Sequence, residues 1–128
     1  MLTSLTVKNV VLIDHLVINF KVGFCGLTGE TGAGKSILLD SLGLSLGSRA
    51  NTKLIRKNAD QATVVADFDL NQEHPVFKAL KNNDIQSDGE VILKRTLKND
   101  GKSKAFINDQ PVSVSFLKEV GDLLIDIH

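Results

Sequence analysis

Residues Gly29-Glu30-Thr31-Gly32-Ala33-Gly34-Lys35-Ser36 follow the spacing G-x-x-x-x-G-K-[ST], and each fixed position has a chemical reason. The glycines let the backbone curl until several N–H groups point inward, making a cradle for phosphate oxygens. A helix opening directly from such a loop adds its own free N–H groups and dipole, which favour an anion. Lys35 is then placed to bring an ammonium to the β- and γ-phosphates, and the Ser36 hydroxyl to ligate Mg²⁺. The ligand this chemistry calls for is a nucleoside triphosphate with its Mg²⁺.

Four fixed positions would be met by chance in about 1 of 100 chains of this size and composition. The context reduces that further. Val22-Gly23-Phe24-Cys25-Gly26-Leu27 reads as a buried strand leading into the loop. Ile37, Leu38, Leu39, Leu42 and Leu46 follow at helical spacing. Strand, glycine-rich loop, helix is the setting such a motif requires.

The chain has 128 residues, 42% of them hydrophobic, enough for one domain with a buried core. Fifteen basic and fifteen acidic residues cancel, so bulk charge argues for neither nucleic acid nor membrane. The lone Cys25 has no internal disulfide partner, and its apolar neighbours suit a buried strand. No run approaches the roughly 18 apolar residues of a membrane span. The N-terminus lacks the basic start of a secretory signal. A cytoplasmic location and no membrane partner are the resulting expectations.

Alternation places strands over residues 2–8 and 16–20, joined through Asn9 to Asp14. Ser48 to Asn58 reads as a loop carrying Arg49 and Arg56. Val64, Ala66, Phe68 and Leu70 share a strand face, and His74-Pro75 opens a short helix with Val76, Phe77 and Leu80 inward. Val91, Leu93, Arg95 and Leu97 alternate along a strand that turns at Asn99-Asp100-Gly101 and returns through Ala105-Phe106-Ile107. Asn108-Asp109-Gln110-Pro111 is a turn, Phe116, Leu117 and Val120 mark a helix, and Leu123 to Ile127 a final strand. The expected architecture is an α/β core around the phosphate loop with an adjoining antiparallel β section.

The order of these features resembles the SMC-like ATPase family, and most closely its bacterial members that serve recombinational DNA repair. Leu2 to Asn9 is similar to that family's opening strand. Gly29 to Ser36 with Asp40-Ser41-Leu42-Gly43-Leu44 resembles GETGAGKSxxxDALGL, and Leu46-Gly47-Ser48-Arg49-Ala50 resembles the LGxRA of the repair members. Leu93 to Val112 resembles the family's pattern of a basic pair, a hairpin turn, G-x-S, then F-I-N-G-x-x-V, with Asp109 standing in place of the usual Gly. Leu123 to His128 resembles the strand before the family's Q-loop.

The resemblance covers the whole chain and implies a P-loop NTPase fold of the ABC/SMC head type. Residues 1–128 would be the N-terminal lobe, with the coiled coil and the C-terminal half-head absent. It implies ATP and Mg²⁺ as ligands, held by Gly29, Glu30, Thr31, Gly32, Ala33, Gly34, Lys35 and Ser36, with Ser36 on the metal. It implies as partners a C-terminal half-head, a second head joined through an ATP sandwich, and DNA. The family's signature motif, Walker B Asp and catalytic Glu would lie beyond residue 128. This chain alone is therefore expected to bind ATP without appreciable hydrolysis, because phosphoryl transfer depends on a complete electrostatic clamp.

Other residues carry two readings each. Arg56 matches a family arginine that reaches toward nucleotide, and equally suits a solvated loop; Arg49 is the rival candidate. Lys94, Arg95, Lys98, Lys102 and Lys104 concentrate charge on one hairpin, for DNA phosphates or to keep a sheet edge solvated. Asp126 after Leu123-Leu124-Ile125 imitates a Walker B strand, which would make this a small complete NTPase or kinase. The absence of N-K-x-D from the sequence weakens a GTPase. His15, His74 and His128 lack metal-ligand spacing. A non-catalytic gene remnant is the third reading. A head lacking its remaining strands is expected to expose apolar edges.

Overall fold

The computed structural model describes residues 1–20 and 32–125. The expected strand at Val22–Leu27, the motif residues Gly29, Glu30 and Thr31, Cys25, Asp126 and His128 lie outside the described residues.

Six strands form one sheet in the order β2-β1-β3-β4-β5-β6, with every pairing antiparallel. They are β1 (Leu2–Val10), β2 (Ile13–Asn19), β3 (Gln61–Asp69), β4 (Glu90–Lys98), β5 (Ser103–Ile107) and β6 (Gln110–Val112). Helices α1 (Gly32–Ser45), α2 (Val76–Asn82) and α3 (Val114–Ile125) complete the described elements, with a short 3₁₀ turn at Thr52–Leu54.

Period-two alternation sorts the two faces of the sheet. Leu5, Ala66, Leu93 and Ile107 lie in one cross-strand row, and Val7, Val64, Arg95 and Ala105 in the next. All eight are buried. Leu44 of α1, Val76 and Leu80 of α2, and Leu117, Val120 and Leu124 of α3 belong to the same core. The register of β1 against β3 shifts between Leu2 and Ser4, so Leu2 and Leu5 are both buried although three residues apart.

Three boundaries differ from the sequence expectation. First, β1 runs to Val10 and β2 begins at Ile13, leaving only Val11 and Leu12 between them. That tight connection takes Asn9 and Val11 to positive φ, 56° and 50°, a region unfavourable for a β-branched residue. Hydrogen bonds from Val11 N–H to Leu54 O and from Arg56 N–H to Asn9 O, both 2.8 Å, hold it there. Leu16 pairs with Val7 and so shares the inner face, but β2 is an edge strand and leaves it exposed; Val17 is exposed on the opposite face.

Second, Pro75 sits at the N-cap rather than inside the first turn of α2, and His74 Nδ1 accepts the Val76 N–H at 3.0 Å. Burial, then the nearby α-ammonium of Met1, lowers the His74 pKa, consistent with a neutral ring acting as acceptor.

Third, Leu123 to Ile125 are helical, not a strand. Leu117, Val120, Gly121 and Leu124 are buried at i, i+3, i+4 and i+7, one face of a helix. A short apolar run has no period of its own to distinguish the two. The strand on which an Asp126 Walker B reading rests is therefore not formed by the residues preceding it.

Candidate nucleotide site

The described part of the motif opens a helix. Gly32, Ala33, Gly34 and Lys35 begin α1, and Ser36 follows in an exposed position. No acidic residue occupies the first turn, so no carboxylate competes with an anion for the free N–H groups. A 14-residue helix is about 21 Å long. It lies against β3, β1 and β4.

The other end of α1 is built in unusual detail. Gly47 takes φ +98°, Ser48 N–H reaches Gly43 O at 3.0 Å, and Gly47 N–H reaches Leu44 O at 3.2 Å. This is the paired bonding of a Schellman stop, which needs a residue free to adopt positive φ. Arg95 adds to this turn: its Nη1 donates to Leu44 O (3.1 Å), which already accepts Gly47 N–H, and to Ser48 O (2.9 Å), and its Nη2 donates to Ser103 Oγ (3.2 Å). Helix α3 presses on the same turn. A Cβ on Gly47 would overlap the backbone of Lys118, and one on Gly121 would overlap the carbonyl of Leu46.

Arg95 is thus not part of an exposed basic cluster, as the hairpin reading had it. It is 2% exposed, because it falls in phase with Val91, Leu93 and Leu97 on the inner face of β4. Among the described residues the one ion pair is Lys118–Asp122, on the surface; no carboxylate partners Arg95. Desolvation lowers its pKa, but a guanidinium keeps its proton. The compensating charge is the negative end of the α1 dipole. Sequence alternation alone could have placed Arg95 inside; nothing in the sequence named its partners.

The two loop arginines separate. Arg49 lines a cavity of about 350 Å³ with Asp40, Gly43 and Asn51, beside the C-terminal part of α1. Arg56 lies beside the β1–β2 connection and lines a polar cleft of about 650 Å³ with Lys8, Asn9, Asn58, Asp60 and Thr63.

On the outer sheet face, Lys8, Thr63, Thr96 and Lys104 stand in one row with His15 at its end. Lys94 lies 5.3 Å above the Phe106 ring in the next row. Lys98 and Lys102 are exposed near the hairpin turn. The opposite end of the face is acidic: Asp67 has a pKa pushed up to about 6, by desolvation first, then by hydrogen bonding and repulsion from Glu90, and by Asp69. Asn108 and Asp109 both take positive φ, 48° and 68°, so Asp109 meets the turn geometry without Gly. Asn108 also locks the turn, accepting Ile92 N–H at Oδ1 (2.8 Å) and donating through Nδ2 to Gln86 O (3.0 Å). No group of three metal-ligating side chains occurs among the described residues.

This arrangement can be set beside known proteins. The family model described as AAA domain matches residues 4–125. The chain belongs to the AAA domain family. Within that family its sequence is RecN-like from end to end. It is 42% identical to the DNA repair protein RecN of Haemophilus influenzae, over all of this chain and 24% of that protein. It is likewise 42% identical to RecN of Vibrio cholerae and 37% to RecN of Bacillus subtilis, covering 23% and 22% of them. The chain thus spans about a quarter of the length of the curated relatives it matches. A structure from work on ATP-driven dimerization and DNA-stimulated activation of SMC ATPases superposes with a TM-score of 0.74 at 24% identity, covering 97% of this chain and 79% of that one. The Smc head domain of Pyrococcus furiosus bound to the C-terminal domain of ScpA gives 0.70 at 22%, covering 95% and 32%. The fold of this AAA domain is therefore that of an SMC-type P-loop ATPase head. Among the described residues no helix is long and apolar enough to cross a membrane.

Proposed function

We propose that this chain binds ATP·Mg²⁺ and forms part of an ATPase head in a RecN-like protein of recombinational DNA repair. The observation that carries the reading is the G-x-x-x-x-G-K-S motif running into the start of α1, in a chain that resembles RecN over its whole length. The donor set fits the ligand: helix N–H groups with no acid in the first turn, a lysine, and an exposed serine hydroxyl. Backbone N–H groups of Gly29, Glu30, Thr31, Gly32, Ala33 and Gly34 would hold the phosphates. Lys35 would neutralise them, Ser36 would ligate Mg²⁺, and Arg56 would reach in from the β1–β2 side. Bound Mg²⁺ would screen the charge of the phosphate oxygens.

In this reading residues 1–128 are one half of the head, and a coiled coil and C-terminal half-head complete it. ATP would be sandwiched against a second head, in the manner of the ATP-driven dimerization described for SMC ATPases. DNA is the further partner, met by the outer-face row of His15, Lys8 and Lys104. Long-range attraction to phosphates needs such a cluster and little more. A reducing, cytoplasmic setting accords with this role.

The test is ATP binding and phosphate release by the chain with Lys35→Ala beside it. Lysine-to-alanine removes a charge-assisted contact of about 1.5–3 kcal/mol, or roughly 10- to 150-fold in affinity. Binding that is lost in the variant, with almost no turnover by either, is expected. Equal binding by both refutes the site. Turnover near 1 per second that vanishes in the variant would instead favour a small complete NTPase.

A further inference from the structure

The C-terminal end of α1 has more structure than a helix stop requires. Gly47 already ends the helix and satisfies its carbonyls. Yet a buried guanidinium with no carboxylate partner is spent on the same turn. Burying an unpaired charge is expensive, and an apolar side chain of similar size is usually no worse for stability alone. The Nε of Arg95 is also buried without a partner among the described residues. What Arg95 does, and an apolar residue could not, is fix the helix directionally. It ties Leu44 O and Ser48 O to Ser103 on the neighbouring strand β5.

We propose that Arg95 is a positioning residue for the nucleotide site: it pins the distal end of α1 to the β4–β5 hairpin and so sets the pose in which the helix presents its N-terminus to phosphate. The inference rests on the nucleotide reading above and deepens it. A helix transmits position along its axis as a nearly rigid rod. A shift allowed at Leu44 is therefore felt at Ser36, two turns away. Phosphate contacts by N–H groups are steep in distance and angle, so a loosened rod weakens binding without altering any residue that touches ligand. Gly47 and Gly121, packed against α3 and α1 respectively, limit the remaining freedom at this end. The hairpin thereby becomes mechanically continuous with the site: ligand that orders α1 also orders Ser103.

The experiment uses the full-length gene product with wild type, Lys35→Ala, Arg95→Met, Arg95→Lys and Ser103→Ala. ATP·Mg²⁺ affinity is titrated well below each variant's Tm, and hydrogen exchange is followed at the amides of residues 36–45. Arg95→Met should weaken ATP between about 2- and 30-fold, the range for residues that act through coupling rather than contact. Arg95→Lys should recover part of that loss. Faster exchange along α1, at unchanged exchange in β1 and β3, should accompany it. A role confined to stability lowers Tm and leaves the affinity of folded molecules alone. Wild-type affinity in Arg95→Met overturns the proposal, and so does unchanged α1 exchange. If Arg95→Met does not fold, Arg95→Lys and Ser103→Ala decide: both at wild-type affinity overturns it, and weakening in either supports it. Should wild type itself bind no ATP, the nucleotide reading fails. The α1 exchange then still shows whether Arg95 pins the helix.

Discussion

Replacing Gly121 by Ala sets two opposed effects against each other. Gly121 lies inside α3, where Ala is favoured over Gly by about 0.8–1 kcal/mol. A Cβ there, however, would overlap the carbonyl oxygen of Leu46 and crowd its carbon at 3.0 Å. The obstacle is backbone, so it has no rotamer to swing away. Overpacking of this kind falls near the top of the usual range, about 3 kcal/mol. The difference, about 2 kcal/mol, should lower Tm by roughly 8 °C in a chain of this size. Two further glycines separate the causes. Gly101 has φ +92° with nothing within 4 Å of its Cβ position, so Gly101→Ala meets strain alone, about 1 kcal/mol. Gly47 has φ +98° and the Lys118 backbone in the way; strain and overlap together make it the worst of the three, about 4 kcal/mol. Differential scanning calorimetry of the three variants should give losses increasing in the order Gly101, Gly121, Gly47. A raised Tm in Gly121→Ala would show that α3 does not sit on the α1 turn as described. Equal losses at Gly101 and Gly47 would remove the steric part of the argument.

Ser36→Ala should weaken ATP much more in Mg²⁺ than in EDTA, as calorimetry in both buffers will read; an identical loss would assign Ser36 to the loop and not to the metal. Asp67 has a folded-state pKa raised to about 6, so its contribution favours the folded state at low pH and is lost as pH rises through 6. Asp67→Asn should therefore raise Tm at pH 7.5 and gain much less at pH 4.5; the same gain at both would mean that its charge is not what the fold resists.

Much of this protein was legible as sequence because its signals are local. The alternation of Val64, Ala66 and Phe68, and of Val91, Leu93 and Leu97, marked β3 and β4 correctly, since one buried face fixes the phase of a strand. The hairpin at Asn99-Asp100-Gly101 and the turn at Asn108-Asp109 followed from residues that tolerate left-handed backbone. The motif Gly29 to Ser36 carries the nucleotide proposal because spacing and residue type are themselves the chemistry it argues from. What failed was nonlocal. Leu123 to Ile125 carries no period of its own, and became helix because Gly121, Leu124 and Leu117 pack on the core and the α1 turn. Arg95 read as one more hairpin charge; its partners Leu44 and Ser48 stand 51 and 47 residues away. Only folding brings a helix's carbonyl end, a strand's inward arginine and two glycines of separate elements to one point. By itself, then, the sequence determined the strand faces and supplied the motif on which the nucleotide proposal rests, since both are written in neighbouring residues. The tertiary structure decided which charge is buried and what holds the far end of α1, because a desolvated guanidinium is defined by whatever surrounds it.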